Sequence, residues 1–118
     1  MQGGLPMAES QSATAADLGV MGDQLLQEAT ERPDGLRTRP VLRGPLMSAV
    51  LFALRAGSSL PEHASPPAAS LQVLRGRVVL VAGEQSWTLG AGELLPIPQA
   101  RHRVDAATDA VCLLTIHR

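Results

Sequence analysis

Lysine and tyrosine are absent from this chain, and cysteine, tryptophan and phenylalanine occur once each. One cysteine excludes an intramolecular disulfide. Cys112 lies in the apolar run 110–116, where it reads as a buried packing residue, and a chain without disulfides fits a reducing cytoplasm. With no lysine, all ten positive charges are arginine, and they nearly cancel eleven carboxylates to leave a net charge of -1. No sustained basic field is available to gather a polyanion, so nucleic acid is not an expected partner. Arg101, His102 and Arg103 form a short basic cluster, but neighbours on a strand point to opposite faces and make no single patch. No run approaches the roughly 18 consecutive apolar residues of a membrane span. The first residues carry neither a basic start nor a long apolar core, so no membrane association or export is expected. The serines at 58, 59, 65 and 70 lack a recognisable carboxylate and histidine arrangement, which removes a hydrolase reading. Gly90-Ala91-Gly92 joins strand to strand and opens no helix, which removes a phosphate loop.

What the chain does have is one domain's worth of apolar sequence. Its 118 residues are 45% hydrophobic and 18% charged, enough for a single folded core and too apolar for intrinsic disorder. Any site must lie within that domain or between subunits. Residues 1–13 have no apolar period and read as a flexible tail. Residues 14–35 read as a helix and turn: Leu18, Met21, Leu25 and Ala29 recur at helical spacing, and Thr14 followed by Asp17 resembles a capping arrangement. Gly19 and Gly22 each weaken that helix by about 1 kcal/mol relative to alanine, so it needs packing against another surface. Pro33-Asp34-Gly35 ends it.

Residues 36–118 read as eight short strands: 36–43, 46–55, 69–74, 77–82, 85–89, 93–97, 101–106 and 110–117, punctuated by glycine and proline turns. That density of short strands implies a closed or sandwich-like β architecture. Gly76 and the Gly90 to Gly92 corner each join two apolar strands, as glycine does where positive φ is needed. The interior is expected to hold Val50, Leu54, Leu71, Val73, Val78, Leu80, Leu89, Leu94, Leu113 and Ile116, an aliphatic lining suited to a ligand with a substantial apolar part. Phe52 and Trp87, the only aromatics, either fill the core or wall a ligand cavity.

At two places the sequence resembles the cupin superfamily. That family's first motif runs from a glycine through five residues to His-x-His, then a glutamate and a closing glycine. Here Gly57 precedes His63 at that spacing and Gly76 closes the motif, but Ser65 stands at the second histidine and Ala69 at the glutamate. The second motif, a glycine and acidic residue leading through a proline turn to a histidine, resembles residues 92–102. Gln99 or Ala100 replaces the turn glycine there. The resemblance covers residues 46–117 and implies a cupin-type antiparallel β-barrel, the jelly-roll or double-stranded β-helix (RmlC-like), preceded here by one short helix. It also implies a barrel pocket, lined by His63, His102, Ser65, Ala69, Phe52 and Trp87, and a homodimer.

Cupins that keep all four ligands, three histidines and a glutamate, hold a divalent transition metal such as zinc, iron, manganese or nickel. This chain keeps two, His63 and His102. A protein metal site ordinarily supplies three or four groups, and loss of the carboxylate removes charge that offsets the cation. On a regular strand Glu62 faces away from His63 and Gln72 away from Ala69, unless a bulge near Pro61 or Pro66-Pro67 changes the parity. Three readings stay open: an occupied metal site, a metal-free pocket that binds a small molecule through its imidazoles, and a vestigial pair of hydrogen-bonded histidines. The corresponding functions are a binding module and a metal-dependent cupin enzyme of dioxygenase or isomerase type. His117 reads as a surface residue.

Overall fold

The computed structural model describes residues 14–117; the expected tail, residues 1–13, lies outside them. Helix α1 spans Leu18–Thr30. Nine strands follow: β1 Leu36–Arg43, β2 Met47–Leu54, β3 Ser59–His63, β4 Ala68–Arg75, β5 Arg77–Ala82, β6 Gln85–Gly90, β7 Leu94–Pro96, β8 His102–Ala106 and β9 Ala110–His117. They form a five-stranded sheet, β1-β2-β9-β4-β7, facing a four-stranded sheet, β3-β8-β5-β6. Every strand pair is antiparallel, and the arrangement is a cupin-like jelly roll.

Strand β3 is the element that sequence reading missed. Pro61 and the glycine and proline residues around it read as breaks, because proline cannot donate to a ladder. The strand forms because it lies at a sheet edge, and a bulge between Leu60 and His63 accommodates the proline.

Strand β2, near the middle of the five-stranded sheet, is buried on both faces, which explains why it is apolar nearly throughout. The sheet's inner face contributes Phe52, Leu54, Leu71, Val73, Ala110 and Cys112 to a core shared with Val78, Leu80, Leu89 and Val104 of the other sheet. Its outer face presents Leu51, Ala53 and Val111 to Leu25 and Ala29 of α1. Leu113 belongs to this outer layer, not to the barrel interior. Leu94 is also displaced from its expected place: it stands opposite Gln72 on the outward face and is 61% exposed, while its neighbour Leu95 packs inward.

Two local features correct the reading of the helix. Its N-cap is Asp17 itself, whose carboxylate accepts from the Val20 amide at 3.1 Å. Gly22 is buried, and a Cβ there would stand 3.0 Å from Val111 Cγ1, so the glycine that costs helix propensity also lets α1 approach the sheet. At Gly76, φ is 82° and a Cβ would collide with the Asp109 carbonyl; the β4–β5 corner therefore requires glycine.

Candidate functional site

His63 and His102 are cross-strand partners on β3 and β8. The β3 bulge is what brings this about: Leu60 pairs with Val104 and His63 with His102, so three steps along β3 match two along β8. The extra residue turns His63 to the same inner face as Leu60. The imidazole centroids are 4.4 Å apart with the rings inclined at 67°. His102 is 2% exposed, whereas His63 is half-buried.

The two rings are held alike. His63 Nδ1 lies 2.8 Å from the Pro61 carbonyl and His102 Nδ1 lies 2.8 Å from the Ala100 carbonyl, each two residues upstream. A carbonyl only accepts, so both Nδ1 atoms carry the hydrogen, and in the neutral ring both Nε2 atoms keep a lone pair. Such a pair accepts hydrogen bonds from a ligand or coordinates a cation.

Among the described residues there is no group of three or more His, Cys, Asp or Glu side chains placed to hold a metal. Glu62 is exposed, and Arg101 Nε approaches its carboxylate at 3.5 Å outside the barrel. Gln72 is on the outward face opposite Leu94. The donor set present does not amount to a protein-held metal centre.

The remaining candidate residues occupy distinct surroundings. Ser65, at the position of the absent histidine, is half-buried in the link between β3 and β4; its hydroxyl donates to the Pro66 carbonyl at 3.0 Å. Ala69, at the position of the absent glutamate, packs against the main core, and its carbonyl accepts from the Ile97 amide at 2.9 Å. Phe52 is buried in that core, and Trp87, half-buried opposite Leu80, packs against it. His117 is exposed at the end of β9, opposite Met47 and Ala68.

The histidines lie at the open end of the barrel. The link 64–67 runs from His63 to Ala68, and Ala68 pairs with His117, which pairs with Met47. At this end the inward residues Val50, Leu114 and Ile116 are only half-buried, while Leu54, Cys112 and Val73 toward the other end are fully enclosed. A cavity of about 550 Å³ lies against the β1–β2 hairpin, lined by Pro40, Leu42, Arg43, Pro45, Ser48 and Val50. Neither histidine lines it.

Gln99 is a residue that sequence reading noted only as a departure from the motif. Its side-chain amide reaches Ser65 Oγ at 3.4 Å and the Pro66 and Pro67 carbonyls at 3.2 and 3.1 Å. No sequence signal links positions 65–67 with 99, because the contact exists only once β3 and β8 have paired.

No protein-family model matches the sequence, and no curated protein matches it. Solved structures do match its fold. The protein TT1209 from Thermus thermophilus is 25% identical, with a TM-score of 0.70 over 90% of this chain and 99% of that one. An RmlC-like cupin from Desulfovibrio desulfuricans is 25% identical, with a TM-score of 0.64 over 90% of both chains. A cupin superfamily protein from Desulfitobacterium hafniense is 17% identical, with a TM-score of 0.66 over 75% of this chain and 85% of that one.

Proposed function

Because the chain belongs by fold to the cupin superfamily, of the RmlC-like kind, we propose that it is a binding module that takes a small molecule at the His63–His102 end of the barrel. The observation that carries this reading is the pair of Nδ1 hydrogens committed to backbone carbonyls, which in the neutral rings leaves both Nε2 atoms as acceptors, on rings whose centroids are 4.4 Å apart. The ligand that fits offers a hydrogen-bond donor to these atoms and rests an apolar body on the half-buried Val50, Leu114 and Ile116. A homodimer is part of the proposal: β1 is an edge strand, and edges of this kind are ordinarily covered.

A second reading, a metal-dependent enzyme of dioxygenase or isomerase type, has the same tautomers in its favour, since Nε2 lone pairs are what a zinc, iron, manganese or nickel ion would meet. Two imidazoles without a carboxylate fall short of a catalytic set.

The deciding experiment is elemental analysis of protein purified without affinity tag or chelator, beside His63→Ala and His102→Ala, followed by a ligand screen read by NMR. The expected result is background metal in a folded parent, with ligand-induced shifts that disappear in His63→Ala. Near-stoichiometric metal in the parent, lost in both variants, would replace the binding module by the enzyme.

A further inference from the structure

Two of the departures from the cupin motifs touch each other. Ser65 stands where the second histidine is expected and Gln99 is one of the two residues, with Ala100, that stand for the missing turn glycine, and the Gln99 amide meets Ser65 Oγ together with the Pro66 and Pro67 carbonyls. Two N–H hydrogens are thus shared among three oxygens, none of which belongs to a charged group. This contact bridges the link 64–67, which leaves His63, and the link 97–101, which enters His102. A short circuit results, closed at one end by the His63–His102 strand pairing and at the other by the amide. Outside the barrel, Arg101 and Glu62, the residues next to the two histidines, approach at 3.5 Å.

Gln99 also adjoins the group that sets the His102 tautomer. The Ala100 carbonyl accepts from His102 Nδ1 at 2.8 Å, and the Ala100 amide donates to the Pro98 carbonyl at 2.8 Å. Gln99 is the central residue of this turn, next to the residue whose carbonyl holds His102.

We propose that Gln99 is a positioning residue that clamps the two histidine-bearing links together through hydrogen bonds and so keeps the imidazole pair assembled. It acts through the Ala100 carbonyl and the 65–67 backbone and touches no ligand. The clamp needs a donor, because all of its partners in the opposite link are accepting.

Gln99→Met keeps the length and removes the donor; Gln99→Glu keeps the shape and sets a carboxylate against two carbonyls. Since Gln99 is exposed, both variants are expected to fold, which the backbone amide spectrum of β5, β6 and α1 checks. The readout is the imidazole ¹⁵N spectrum at pH 8, with the His63 and His102 rings assigned through His63→Ala and His102→Ala, beside amide hydrogen exchange of Ile97 and Ala100, whose amides are hydrogen-bonded, and the backbone ¹³C shifts of Ser65, Pro66 and Pro67. In the parent both rings show protonated Nδ1. In Gln99→Met the His102 signals move toward tautomer-averaged values, exchange of Ile97 and Ala100 rises about tenfold and the Ser65, Pro66 and Pro67 shifts move, with a larger effect in Gln99→Glu. Wild-type His102 signals and exchange in both variants would overturn the clamp. So would loosening confined to 97–101, because a clamp must release both links. The readout needs no bound ligand, so the outcome is independent of whether the binding proposal holds.

Discussion

Cys112 is wholly buried between Phe52 and Val73 on the flanking strands, and desolvation pushes its thiol up to about 12 from an ordinary 9.0. Because the folded pKa is the higher one, the folded chain holds a proton that the unfolded chain releases. The stability associated with it is complete below pH 9.0 and lost as pH rises toward about 12. The absence of lysine and tyrosine makes this window unusually clean, since the side chains that ordinarily titrate there are missing. Stability measured by urea unfolding should fall between pH 9 and 11 and fall less steeply in Cys112→Ala; equal slopes would show that the thiol is not the source. In native protein at pH 8.5, iodoacetamide should leave Cys112 unmodified and should alkylate it on unfolding.

The helix is an element whose formation depends on its attachments. Asp17 caps its start. At its end Arg55, from the loop after β2, donates to the Thr30 and Arg32 carbonyls at 3.1 and 3.0 Å and to the Pro33 carbonyl at 3.3 Å. Glu28 pairs with Arg37 and Arg39 of β1, and Asp23 with Arg75 of β4. The Arg37 guanidinium, hydrogen-bonded to Glu28, holds that carboxyl below its usual value. Asp17→Ala should cost about 1 kcal/mol in urea unfolding, whereas Thr14→Ala should be neutral; the reverse result would restore Thr14 as the cap. Arg55→Ala removes a charged donor from the last helical carbonyl and two carbonyls of the following turn and should cost about 2 kcal/mol, with Arg55→Lys recovering only part of it. Faster hydrogen exchange concentrated in α1 would identify the helix as the element released.

At the scale of the molecule, the exposed apolar surface is uneven. Leu42, Leu46 and Met47, 43%, 67% and 45% exposed, stand together at the β1–β2 turn, beside the cavity of about 550 Å³ and the free edge of β1. If the proposed homodimer uses this end, Leu46→Asp should weaken it at least tenfold in sedimentation velocity without lowering monomer stability; a dimer of unchanged affinity would move the interface elsewhere. Among the described residues no helix is long and apolar enough to cross a membrane.

Periodicity and punctuation alone determined most of this protein's elements, and resemblance to a family supplied their cupin-type arrangement. The helix, eight of nine strands and the Gly76 corner were legible because each follows from local rules: apolar spacing, proline's missing donor and glycine's access to positive φ. The two histidines were legible as a pair only through resemblance to a family. Which face each side chain occupies was decided by tertiary structure, since a one-residue bulge in β3 turns His63 inward and a one-residue alternation places Leu94 outside and Leu95 inside. The same holds for the Gln99 clamp and the Gly22 contact with Val111, which join positions more than thirty residues apart. Local sequence specifies elements, but registry and long-range contact depend on the closed circuit of strands, which exists only when the whole chain has folded.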